Sequence, residues 1–201
     1  EYDFAGEDAH LAGPYIERSR RIEISRCHFL QNERGIEILD TTGLVMRDCE
    51  IAGSGFQGIL MLHSGEITLA GLTVRHNGNL ADAARGADAD FGNLVCRAPS
   101  GRVTVTRSRI SDGHAGVIFS GMNASAVTLS DLVVGYHERD GLRFSGDGTN
   151  LTLRDSRIGR NGGSALRLAA GKSRGGGPEL DASGTLFFTA EGGALLAVEA
   201  G

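Results

Sequence analysis

Apolar residues along this chain fall in short alternating pairs rather than in helical stripes. With Ile22 as position 0, apolar side chains recur at positions 0 and 2, at 5 and 7, and again near 14 and 16. Alternation with a period of two puts every second side chain on one face of a strand. The pattern therefore predicts three short strands separated by bends. The run Ile22, Ile24, Cys27, Phe29, Asn32, Gly35, Ile36, Ile38 returns as Leu44, Met46, Cys49, Ile51, Ser54, Gly58, Ile59, Met61. Further copies start at Ile67, Val103, Val127, Leu151 and Leu180, giving successive spacings of 22, 23, 36, 24, 24 and 29 residues. One copy cannot bury its apolar face alone. Stacking like strand on like strand buries all of them together.

Position 7 of the seven copies reads Phe29, Ile51, Val74, Ile110, Val134, Ile158, Phe187, a file of large apolar residues for an interior. A leucine-rich repeat has a similar period but needs a fixed Leu and Asn pattern that is missing, and a propeller blade needs about twice the period. The repeat resembles the right-handed parallel β-helix of the pectate-lyase-like superfold. That resemblance implies an all-β chain, a single-stranded solenoid of about seven coils of 22–24 residues with two loop insertions. Residues 22–201 are expected to form the solenoid, with insertions near 78–92 and 171–178, and residues 1–21 a cap or the continuation of an upstream segment.

Other columns add detail. Position 10 reads Asn32, Ser54, Asn77, Gly113, His137, Asn161, Ala190, which resembles the asparagine ladder of that superfold, stacked amides at a tight bend. Cys27 and Cys49 share position 5 one coil apart, where a strand spacing of about 4.8 Å suits contact better than a disulfide. They are expected to be free and buried, with Cys96 a core residue beside Met61 and Phe119. Thr68, Thr104, Thr128 and Thr152 form an outward file at position 1, read as strand-favouring surface residues.

Composition narrows the function classes. Gly is 31 of 201 residues without a triplet period, and Pro is only 3, so collagen is excluded. A net charge of −5 argues against a nucleic-acid partner. No stretch approaches the roughly 18 apolar residues of a spanning helix. The chain opens at Glu1-Tyr2-Asp3 without an apolar leader, as a mature protein or an excised domain would.

Candidate chemistry gathers where the period breaks, since long loops on a rigid scaffold carry binding residues. The insertion after Asn77 brings Asp82, Arg85, Asp88 and Asp90, candidates for contacting substrate. No motif calls for a cofactor; the Asp-x-Asp pair Asp88 and Asp90 admits calcium, without any established calcium-loop spacing. Beside the insertion, bend columns of adjacent coils hold His76, Asp112, His114, Tyr136, His137, Glu138, Arg139 and Asp140. Asp112, His114, His137, Glu138 and Asp140 are the candidate catalytic acids and bases. His76, Tyr136 and Arg139 join the substrate-binding set, with Tyr136 and Phe91 as aromatic platforms for a sugar ring.

Asp140-Gly141-Leu142-Arg143-Phe144 resembles the polygalacturonase arrangement in which an aspartate precedes a Gly-apolar-x-apolar strand, and Gly113-His114-Ala115-Gly116 resembles their Gly-His-Gly turn. The Asn-Thr-Asp and Arg-Ile-Lys motifs of those enzymes, and the Asp-Pro-His signature of alginate epimerases, are absent. Pectate-lyase chemistry would use a basic residue, for which Arg107, Arg109 and Arg157 stand as candidates. The resemblance implies a polysaccharide or glycan partner, met outside the cell or in the periplasm. It leaves three alternatives: a polysaccharide hydrolase, lyase or epimerase, a non-catalytic carbohydrate-binding or adhesive segment of a larger protein, or a structural repeat.

Overall fold

The computed structural model describes residues 13–78, 90–123, 125–170, 178–189 and 194–199. Its described residues form two parallel sheets and no helix. One sheet has eight strands, Tyr15–Glu17, Ile36–Leu39, Gln57–Leu62, Gly92–Arg97, Val117–Asn123, Leu142–Asp147, Leu166–Ala170 and Leu196–Glu199, each paired in parallel with the next. The other has twelve strands in two arms, which join because Arg102–Gly113 and Ala126–His137 run through the bend between them. Every coil visits the first arm, the second arm and then the eight-stranded sheet. The path is already established at Tyr15–Glu17, upstream of Ile22.

The apolar file at position 7 is in register throughout: Phe29 pairs Ile51, Ile51 pairs Val74, Val74 pairs Ile110, and the series continues through Val134 and Ile158 to Phe187. Ile51, Val74, Ile110 and Ile158 are wholly buried. The facing sheet contributes Ile36, Ile59, Leu94, Val117 and Leu142, with Phe119 stacked on Phe144 at 5.3 Å. Cys96 lies between Met61 and Phe119, as expected, and all three cysteines are free.

The bends have one shared construction. Position 4 is left-handed in all seven coils (Arg26, Asp48, Gly71, Arg107, Asp131, Asp155, Gly184), with φ between 48° and 66°. Position 9 is left-handed from Gln31 through Gly53, His76, Asp112 and Tyr136 to Arg160. Such a residue turns the strand sharply and leaves the following N–H off the ladder, where burial makes it costly. A side chain from the next coil accepts it. Leu72 N–H donates to Ser108 Oγ (3.0 Å) and Leu132 N–H to Ser156 Oγ (3.1 Å) at the first bend. Cys27 N–H reaches Cys49 Sγ at 3.4 Å in the same column, which explains the cysteine pair without a covalent bond. Ser54 N–H donates to Asn77 Oδ1 at the second bend (2.8 Å), and Thr41 N–H to Ser64 Oγ at the third (3.1 Å).

The second bend holds a ladder that sequence columns only partly show. Gly113 supplies no side chain at position 10, and Asn93 of the eight-stranded sheet fills the gap. Asn77 Nδ2 donates to Asn93 Oδ1 (2.7 Å), Asn93 Nδ2 lies 3.0 Å from His137 Nε2, and His137 Nδ1 lies 2.9 Å from Asn161 Oδ1. His137 is 3% exposed, and burial above all lowers its pKa to about 4, outweighing the Asn161 hydrogen bond and the Asp112 charge. Its imidazole is a neutral rung of the ladder.

Candidate functional site

Outward positions of the eight-stranded sheet set up the site. Residues alternating with its core file are Glu37, Leu60, Val95, Ile118, Arg143 and Arg167, one per coil in register. Leu60, Val95, Ala115 and Ile118 are buried on this outer face as a second, smaller apolar cluster. Where that cluster ends, the file changes from aliphatic to arginine. There a cleft of about 220 Å³ opens, lined by Phe91, His114, Ala115, Ile118, Glu138, Arg139, Asp140, Arg143 and Arg167, with Gly162 and Gly163 on one wall.

Its charged groups are arranged in pairs. Asp140 closes the floor at 8% exposure: its Oδ1 accepts the Ser164 N–H (2.7 Å), and its Oδ2 lies 2.9 Å from Arg167 Nε. A side chain on Gly163 would press on Asp140 Oδ1, so the glycine makes room for that pair. Asp90 binds Arg143 through one oxygen and Arg97 Nε (3.0 Å) through the other. His114 Nδ1 lies 3.0 Å from Glu138 Oε2, with the imidazole 14% and the carboxylate 69% exposed. Among the described residues no ion-pair partner is recorded for Arg139, which is exposed at the rim.

The structure thus brings together His114, Glu138, Arg139 and Asp140 of the expected set, with Asp90 behind the wall. It separates the others. His137 points into the core ladder, where both ring nitrogens are engaged, so it cannot meet a ligand in the cleft. Asp112, Tyr136 and His76 occupy the left-handed column on the far side of the bend and do not line the cleft. His76 lies beside Arg75, and Tyr136 beside Arg160. Asp90, expected to contact substrate or cation, instead gives its carboxylate to Arg143, Arg97 and Ser120. Arg107 sits in the position-4 column, and Arg109 and Arg157 lie on the outer face of the second arm. Asp82, Arg85 and Asp88 lie outside the described residues. Among the described residues no three His, Cys, Asp or Glu side chains gather as a metal site.

Arg143 and Arg167 are the cleft residues that sequence reasoning missed. Their signal was present: Leu142-Arg143-Phe144 and Leu166-Arg167-Leu168 place an arginine at one outward register of consecutive coils.

Residues 12–95 match the family model described as "Right handed beta helix region". No curated protein matches the sequence. The chain is similar in structure to the periplasmic alginate epimerase AlgG, with a TM-score of 0.60 and 14% identity over 92% of this chain and 46% of that one. It is similar also to pectate lyase Pel9A, with a TM-score of 0.57 and 12% identity over 78% of this chain and 40% of that one. The chain spans less than half the length of either. At these identities the likeness is one of fold: the chain is a right-handed parallel β-helix.

Proposed function

We propose that this β-helix acts on an acidic polysaccharide, holding a uronate unit in the cleft over Arg143 and Arg167. The observation that carries the reading is the arginine set: Arg139, with no ion-pair partner among the described residues, beside two arginines of adjacent coils, where the aliphatic file of the outer sheet face gives way to arginine. A guanidinium offers five N–H donors in a planar fork, so Arg143 and Arg167 keep donors for a ligand while paired to Asp90 and Asp140. A sugar ring would rest on Phe91. Such a polymer is met outside the cytoplasm, and one structural neighbour is periplasmic.

The chemistry this arrangement suits is removal of the proton on the carbon bearing the uronate carboxylate. With the His114 Nδ1 proton donated to Glu138, Nε2 carries a free lone pair and acts as the base. The electron pair released from the C–H bond spreads onto the carboxylate, where guanidinium donors stabilise the added charge. Expelling the neighbouring glycosidic oxygen, which takes up a proton, gives an unsaturated end. Reprotonation by water on the opposite face, with the proton held by His114 returning to solvent, inverts the centre instead. Asp140 acts as a positioning residue for Arg167.

A second reading, a non-catalytic binding module, is favoured by one observation: the buried carboxylate of Asp140, and that of Asp90 behind the wall, are committed to arginines. One experiment separates the readings. Uronate polysaccharides are screened for unsaturated products, new reducing ends and altered C5 stereochemistry, with binding measured in parallel. The catalytic reading expects turnover that falls at least about 100-fold in His114→Gln, and weaker binding in Arg139→Ala. Full activity in His114→Gln overturns the assignment of the base. Binding lost in Arg139→Ala with no turnover on any polymer establishes the binding module.

A further inference from the structure

A second concavity lies across the second bend from the cleft. It is about 290 Å³ in volume and lined by Val133, Val134, Gly135, Tyr136, Arg157, Gly159, Arg160 and Phe188. Its floor is backbone. Gly135 and Gly159 are register partners and Gly159 pairs Phe188, and a side chain at either glycine would strike the backbone of the next coil. Two aromatic rings stand at its edges, Tyr136 at 50% and Phe188 at 49% exposure. The charge is of one sign: Arg157 and Arg160 line it, no carboxylate does, and neither has a recorded ion-pair partner among the described residues. Arg160 is already oriented by Tyr136, with its guanidinium carbon 5.4 Å from the ring centroid and a hydrogen bond to the phenol oxygen.

Tyr136 is the bulkiest residue of the left-handed column, at φ 64°. Such a backbone disfavours a large side chain, and the same column elsewhere holds Gln, Gly, His, Asp and Arg. The conformation turns the ring outward beside the bare glycine floor, where it supports no core packing.

We infer that this groove is a second saccharide-binding site, taking a uronic acid unit of the polymer outside the cleft. The inference rests on the reading that the chain handles acidic polysaccharide. A pyranose ring has apolar faces that lie on Tyr136 and against Phe188, while the planar guanidinium of Arg157 or Arg160 pairs a carboxylate through two parallel N–H donors. Among the described residues the groove holds no acid or base that could act on a bound sugar. It retains the polymer, and the cleft processes it.

The test is calorimetric titration of the whole chain with oligogalacturonate and oligomannuronate, and with a neutral oligoglucan as control. Four proteins are compared: the parent, the groove double variant Tyr136→Asn/Arg157→Gln, the cleft variant Arg139→Ala, and their combination. Asn tolerates the left-handed backbone, so the groove variant keeps the bend; circular dichroism melting checks its fold. The expected result is two uronate sites in the parent, one in each of the groove and cleft variants, none in the combination, and a fall of at least about tenfold in affinity for long polymer in the groove variant, as loss of one of two linked contacts gives. Unchanged stoichiometry and polymer affinity in the groove variant, with binding lost in Arg139→Ala, overturns the groove and leaves the cleft reading standing. Equal binding of the neutral oligomer at the groove overturns its charge selectivity. No uronate binding by the parent overturns both readings together.

Discussion

His137 makes the stability of the solenoid depend on pH. The ring is 3% exposed, and its folded pKa of about 4 lies below the ordinary 6.5 because burial penalises the charged form. Between these values the unfolded chain binds the proton and the folded chain does not, so stability rises with pH across that window and is lost as pH falls through it. The shift spans 6.5 to about 4, which corresponds to about 3 kcal/mol in all, about 2 of which is already lost by pH 5. The perturbation is His137→Asn, which keeps an amide in the column between Asn93 and Asn161 and removes the titration. Urea denaturation of both proteins between pH 7.5 and pH 4.5 gives the two slopes. The parent should lose about 2.5 kcal/mol more than the variant over that range. Parallel loss of stability in the two proteins would refute the buried neutral imidazole.

Other outcomes follow from the same packing. Ile110→Ala, in the middle of the position-7 file and wholly buried, should lower unfolding free energy by about 2–5 kcal/mol; an unchanged denaturation midpoint would contradict a tightly stacked interior. Cys27, Cys49 and Cys96 are free, so alkylation in denaturant without reductant should label three thiols by mass spectrometry, and a Cys27–Cys49 disulfide would overturn the shared-column account. Gly116→Ala should unfold the protein at markedly lower urea, because the added methyl presses on the Gly141 carbonyl oxygen; a stable variant would show that the coils can part there.

The fold was legible because a solenoid repeats its physics. Phe29, Ile51, Val74 and Ile110 lie at one count from the start of each copy, and parallel stacking needs only that count. The site was legible in part, for a reason specific to the second bend. Tyr136, His137, Glu138, Arg139 and Asp140 are consecutive, and a left-handed residue at Tyr136 sends them to three places. Tyr136 turns outward to the groove, His137 inward to the ladder, and Glu138 to Asp140 line the cleft. Adjacency in sequence gave no sign of that division. Asn93 was hidden differently: it follows the insertion, where the coil count is lost, so its place opposite Gly113 emerges only from strand register. Arg143 and Arg167 are hidden only while each third strand is read singly, since the outward file becomes visible when strands are laid side by side.

On the proposed function, the arginine-lined cleft receives a uronate carboxylate. The direct measurement is a crystal structure of the chain with an oligouronate bound. The expected structure has a sugar over Phe91, its carboxylate within hydrogen-bond distance of Arg139, Arg143 or Arg167, and the carbon bearing that carboxylate facing His114 Nε2. An oligouronate bound only elsewhere, with the cleft empty at saturating ligand, would contradict it.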